Sequence, residues 1–294
     1  MGAIGYYIFY GFNWIITLLP LRVLYLFSDL FFPFFYYFPG YRRKVVRTNL
    51  MNSFPEKSEK EIIAIEKKFY HHFCDLFVET FKLTHMSSEQ LMKRIPLKNP
   101  ELLDKLYDEG RDVAAVLGHY NNWEWLACLP LYSRYKFVSI YKPLTSRHFD
   151  KYMINSRSRL GMSVTPMQHV VREVIENRKN NVRSLYSFLT DQTPPKGDIR
   201  FWTNFLNQDT PVYLGVEKIS SKYNMAVILF NIQKEKRGQY YISAELLFDQ
   251  TAGLPEHFIT ETHVRRLEEI IREHPEYWIW SHRRWKHNRE HQDG

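Results

Sequence analysis

From residue 112 onward the chain alternates short apolar runs with longer stretches of helical spacing, and few folds accept that pattern. Residues 112–117, 137–141, 163–167 and 183–190 read as strands. Between and after them, residues 121–135, 146–160, 170–177 and 212–223 carry apolar side chains at the helical period. Residues 226–232 and 240–247 read as a hairpin turning at Arg237-Gly238, and residues 260–273 as a late amphipathic helix. Strands that alternate with helices predict an α/β fold. Its sheet should be mixed and mostly parallel, flanked by helices on both faces, with an antiparallel edge.

One stretch stands where a buried strand should end and a helix begin: Gly118-His119-Tyr120-Asn121-Asn122-Trp123-Glu124-Trp125. Open α/β sheets build their sites outside the carboxyl ends of strands. Residues five apart do not share a face of a continuous helix. If His119 precedes the first turn, however, its ring can fold back towards Glu124. A carboxylate on one ring nitrogen fixes the tautomer and leaves the other nitrogen as a base. Such a pair can take the proton of a substrate hydroxyl as that hydroxyl attacks an acyl carbonyl. Asn122, in the same box, is assigned to the substrate side; its plainer reading is a helix cap.

The region before residue 112 reads differently. Residues 2–21 carry no charged side chain, and twenty helical residues span ~30 Å, the hydrocarbon thickness of a bilayer. They predict a membrane anchor without a cleavage site. Residues 23–41, rich in Phe and Tyr and broken by Pro33 and Pro39, predict a segment lying in the interface. Arg42, Arg43, Lys44 and Arg47 follow, which by the positive-inside rule places the body on the cytoplasmic face, against anionic lipid. The domain organisation is therefore an anchor and interfacial segment over 1–41 and a catalytic domain over 42–294. From Ser58, with Glu61 three residues on, a capping box opens a core-facing helix through Phe81.

Lys and Arg outnumber Asp and Glu by 40 to 32, which suits an anionic membrane, a phosphorylated substrate or nucleic acid. Cys74 and Cys128 have neither metal-ligand spacing nor a disulfide framework, and no Gly-rich nucleotide loop is present, so no metal and no cofactor are expected. Further polar residues fall near later strand ends: Tyr141-Lys142-Pro143, Arg157 and Arg159 on the next helix, and Asp191-Gln192. The run Trp278-Ile279-Trp280-Ser281-His282-Arg283-Arg284-Trp285-Lys286 interleaves basic residues with tryptophan, suited to stacking on single-stranded nucleic acid or to lying on membrane phosphates. The N-terminal segment favours the membrane, and no nucleic-acid partner is expected.

In this order, these motifs resemble the bacterial late acyltransferases of lipid A biosynthesis, within the wider lysophospholipid acyltransferase superfamily. The resemblance runs from the N-terminal segment to Lys286. It rests on Tyr41-Arg42-Arg43, Asn49-Leu50, Phe54-Pro55, the His119-x4-Glu124 box, Tyr141-Lys142-Pro143, Arg157 with Arg159, Asp191-Gln192 and the terminal Trp/Arg run. It implies transfer of a fatty acyl chain from an acyl-carrier-protein or coenzyme A thioester to a lipid hydroxyl at the inner membrane. His119 is then the general base and Glu124 its acidic partner. Arg157 and Asp191 are linked to function, and Arg159, Gln192, Lys142 and Asn122 fall on the substrate side. Two positions depart from the family's pattern: Lys142, where Arg is commoner, and Asn207, where Gly is usual. The same chemistry on a lysophospholipid, glycolipid or aminolipid is the nearest alternative. A non-enzymatic basic membrane-surface protein is the more distant one, disfavoured by the intact His–Glu pair.

Overall fold

The computed structural model describes residues 3–38 and 40–289. Met1, Gly2 and Pro39 of the expected N-terminal segments, and residues 290–294, lie outside the described residues. The helices of the first part are α1 (Ala3–Leu18), α2 (Leu21–Tyr36), α3 (Arg43–Ser53), α4 (Glu59–Lys82), α5 (Ser88–Arg94) and α6 (Pro100–Asp108). The α/β part follows with β1 (Val113–Leu117), β2 (Lys136–Tyr141), α7 (Arg147–Ser158), β3 (Ser163–Pro166), α8 (Val170–Lys179) and β4 (Ser184–Leu189). It continues with β5 (Trp202–Phe205), β6 (Gln208–Pro211), α9 (Gly215–Tyr223), β7 (Ala226–Lys236), β8 (Gln239–Phe248) and α10 (Phe258–Glu273).

Six of these strands form one sheet in the order β3-β2-β4-β1-β7-β8. Every neighbouring pair is parallel except β7 with the edge strand β8. The predicted α/β class and antiparallel edge are both present, and the β7–β8 turn falls at Arg237-Gly238, where Gly238 has φ +71°. Side chains of β1 alternate between two cores: Val113, Ala115 and Leu117 face one, Ala114 and Val116 the other. With both faces covered, the strand reads as a continuous apolar run, which is how its sequence betrays it. The chain leaves β1 towards β2 and leaves β4, which lies between β2 and β1, towards β7. Neighbouring strands whose connections part in opposite directions open a crevice at their carboxyl ends.

Two local readings change. Residues 121–135 do not form an α-helix: Asn121 has φ +51°, Asn122 caps the turn through Trp125 N, and Trp123–Leu131 is a 3-10 stretch containing Pro130. The hairpin β5–β6 was not legible, being two four-residue strands with little apolar content. Its two-residue loop, Leu206-Asn207, has φ +51° and +61°, and Asn207 tolerates the left-handed region that glycine fills in the family pattern.

The largest correction concerns the N-terminus. Among the described residues no helix is long and apolar enough to cross a membrane. Helix α1 has 16 residues, ~24 Å of rise, and the chain breaks before Pro20. Instead α1 and α2 lie on the body and are tied to it by polar side chains. Asn13 donates to Tyr152 Oη (3.0 Å), Tyr25 to Glu79 (2.6 Å) and Ser28 to Asp75 (2.7 Å). Arg237, in the β7–β8 turn, clamps Asp29 of α2 and Asp75 of α4 together. The opposite faces stay bare: Ile8 and Phe12 of α1, Leu26 and Phe34 of α2 are exposed. The basic cluster is partly spent inside the fold. Arg43 and Arg47 neutralise the fully buried Glu66, and Arg42 donates to Ser281 O.

Candidate active site

The register Leu117↔Leu189 between β1 and β4 sets the site. One strand ends and leads to His119; its neighbour ends and leads to Asp191. The two meet although 72 positions separate them. Asp191 is fully buried and accepts from His119 N (2.7 Å), His119 Nδ1 (2.6 Å) and Trp278 Nε1 (2.7 Å). Burial alone would push its carboxyl up. The imidazole charge and these donors outweigh burial, and the carboxyl falls to about 2. Gly118 keeps this approach uncrowded: a Cβ there would stand 3.2 Å from Asp191 Oδ2 and 2.8 Å from Leu267 Cδ1.

The expected His119–Glu124 pair does not form. The left-handed turn at Asn121 sends the chain away, and Glu124 faces Arg157 of α7 in a two-pronged ion pair of 3.0 and 2.7 Å. Burial opposes the charge on Glu124. Arg157, with help from the nearby His119, overcomes it and holds the carboxyl below its ordinary range. Arg157 thus spends its fork on a carboxylate of the protein and does not offer it whole to a substrate phosphate. Arg159 points elsewhere, donating to the carbonyls of Leu83 and Met86, and does not line the groove described below. Asn122 is likewise structural: it is buried, caps the 3-10 stretch and donates to Glu79 Oε2 (2.7 Å).

The remaining predicted residues gather around a groove of about 500 Å³, within the usual range of ligand sites. His119, Gln192, Lys142 and Arg157 contribute to its lining, and Met153 and Phe188 make much of it apolar. Gln192 Nε2 lies 3.0 Å from His119 Nε2. Lys142 is exposed at the rim.

Several supporting residues escaped the sequence reading. The terminal Trp/Arg run is core, not a surface strip: Trp278, Trp280 and Arg284 are buried. Trp278 braces Asp191, and Arg284 donates to Pro211 O (2.8 Å) and Thr193 Oγ1 (3.4 Å). Asn121 Nδ2 holds Ile232 O (2.7 Å), fixing the box to β7. Glu79 gathers Tyr25, Tyr240 and Asn122 on one buried carboxyl, which burial pushes up to about 7. These partners leave no local signal in the sequence.

Among the described residues no serine hydroxyl or cysteine thiol stands at Nε2 of His119, where Gln192 is the hydrogen-bond partner. The chain belongs to the bacterial lipid A biosynthesis acyltransferase family, whose model matches residues 2–287. It is an acyltransferase, with an acyl donor and a lipid acceptor as substrates. A comparison with curated proteins found no match.

Proposed function

We propose that this protein moves a fatty acyl chain from an acyl-carrier-protein or coenzyme A thioester to a hydroxyl of a lipid A precursor, with His119 as general base. The observation that carries the reading is the imidazole itself, with Nδ1 on a buried carboxylate and Nε2 at an apolar groove. Asp191 holds the ring with the proton on Nδ1, so Nε2 offers a lone pair. The acceptor hydroxyl gives its proton to Nε2 as its oxygen attacks the thioester carbon. The C–S bond then breaks, and the thiolate leaves with that proton. Asp191 stabilises the imidazolium between the two steps. Glu124 adds a second negative charge close by, and Arg157 fixes its position. No metal is required, because the thioester brings its own activation and the protein needs only a base and positioning.

The protein works at the cytoplasmic face of the inner membrane in this reading, held by the exposed apolar faces of α1 and α2 lying in the interface. Lipid mass spectrometry of cells with and without the protein tests the acceptor. Purified His119→Ala tests the base: transfer should fall ~10²–10⁴-fold with the fold intact, and full activity would sink the mechanism. Flotation with liposomes tests the attachment. Loss of binding on Ile8→Ser/Phe12→Ser is expected, and unchanged binding would place the contact elsewhere.

A further inference from the structure

Gln192 sits where the acceptor must go. Its side-chain amide lies 3.0 Å from His119 Nε2. Asp191 fixes which end of that amide faces the ring. An ionised carboxylate only accepts, so the Nδ1 atom 2.6 Å from Asp191 carries the proton. In the neutral ring Nε2 is then a bare lone pair, and the amide turns its NH2 group towards it. A hydroxyl that is to be deprotonated takes this lone pair and displaces the amide.

The displaced amide cannot travel far, because its backbone is pinned on both sides. Asp191 is bound by His119 and Trp278. Thr193 is held by Arg284 and by His282, whose Nε2 accepts from Thr193 N at 3.4 Å. The N–H donors of Gln192 are thereby left beside the reacting carbon, inside the groove it helps line. Arg157, which also lines the groove, has Nε and Nη2 engaged by Glu124.

Resting on the acyl-transfer reading above, we infer that Gln192 is a catalytic residue: it caps the base in the resting enzyme and, once displaced, donates to the thioester carbonyl oxygen as that oxygen becomes an oxyanion. As the hydroxyl oxygen bonds to the carbonyl carbon, its proton passes to Nε2 and the carbonyl π pair moves onto oxygen, where the amide N–H meets it. When the C–S bond breaks, the pair returns, the thiolate takes the proton from Nε2, and the amide swings back onto the lone pair. A preorganised donor of this kind is most valuable where water is excluded.

The test uses the purified full chain and its Gln192→Ala, Gln192→Asn and Gln192→Glu variants, with an acyl-carrier-protein thioester and a lipid A-type disaccharide. Gln192→Ala should lower kcat ~10²–10³-fold, with KM within about threefold and the melting temperature unchanged. Gln192→Asn keeps the amide but is one methylene shorter, and should fall nearly as far. Gln192→Glu loses the donor and sets a carboxylate at Nε2, so the acid limb of its pH–rate profile should also move to higher pH. Dodecylphosphonate, a tetrahedral anion on an acyl-like tail, should bind Gln192→Ala at least about tenfold more weakly than wild type. A kcat within about threefold of wild type, a loss carried by KM, or unchanged phosphonate binding would each overturn the assignment. A wild-type protein that transfers nothing would instead defeat the acyl-transfer reading, and the phosphonate comparison would still decide the role of Gln192.

Discussion

Asp191→Asn is the most informative single change, because the geometry dictates how the amide must sit. Oδ2 accepts two donors that cannot reverse, the backbone N–H of His119 and the indole N–H of Trp278. The asparagine oxygen has to take that place. Its NH2 group then occupies the position of Oδ1 and faces His119 Nδ1. Two N–H groups cannot point at each other, so the imidazole moves its proton to Nε2 and ceases to be a base. Loss of the correct tautomer and of the counter-charge is worth up to ~10⁴-fold in kcat, as in the serine-protease triad. The stability cost is separate and smaller. The carboxyl falls from 3.8 to about 2, a shift that corresponds to roughly 2 kcal/mol of stability at neutral pH. A depressed carboxyl contributes above its unfolded value and loses that contribution as the pH falls. Wild type should therefore lose this increment between about 3.8 and about 2, and Asp191→Asn should not. Turnover with a thioester donor, and thermal melts from pH 7 downward, measure the two effects. A folded Asp191→Asn enzyme within tenfold of wild-type kcat would refute the tautomer argument.

Other perturbations follow from the same contacts. Arg157→Met leaves Glu124 buried and without its ion-pair partner and should cost about 3–5 kcal/mol, together with most of the activity; Arg159→Lys, at a guanidinium that donates to the Leu83 and Met86 carbonyls, should be mild in both, and equal effects would show that the fork on Glu124 is unimportant. Gly118→Ala drives a methyl at Leu267 and Asp191 and should cost about 1–3 kcal/mol while lowering turnover; an unchanged melting temperature and rate would mean the approach is looser than drawn. Glu79, raised from 4.5 to about 7, contributes stability that is complete below 4.5 and lost as the pH rises through about 7. Glu79→Gln should flatten that part of the stability curve, measured by melts between pH 4.5 and 8, and an unaltered slope would assign the pH dependence to other groups.

The α/β alternation, the β7–β8 turn and the Ser58–Glu61 capping box were legible because each is local: periodicity, a glycine at φ +71° and a side chain three residues from its partner. The short hairpin β5–β6 and helices α3, α5 and α6 were missed, as brief elements in polar or mixed sequence carry little periodic signal. The position of His119 at a strand end was also readable, since an apolar run stops there and a glycine follows.

Which carboxylate serves His119 was not readable. Within the box the only candidate is Glu124, and sequence proximity argues for it. The parallel register of β1 on β4 brings Asp191 there instead, and that register depends on how the crossover helices pack, not on residues near the box. The same holds for the terminal Trp/Arg run, whose composition suits a surface and which the fold buries against Asp191 and Pro211. It holds for α1, whose hydrophobicity suggested a bilayer anchor, and for α2, which read as an interfacial segment, while their polar residues Asn13, Tyr25 and Ser28 found partners on the body. The sequence by itself determined the class of fold and singled out His119 at a strand end, because backbone periodicity and residue chemistry are written locally. Only the tertiary structure decided which carboxylate His119 meets and which hydrophobic faces remain bare, because both depend on what the folded chain brings alongside.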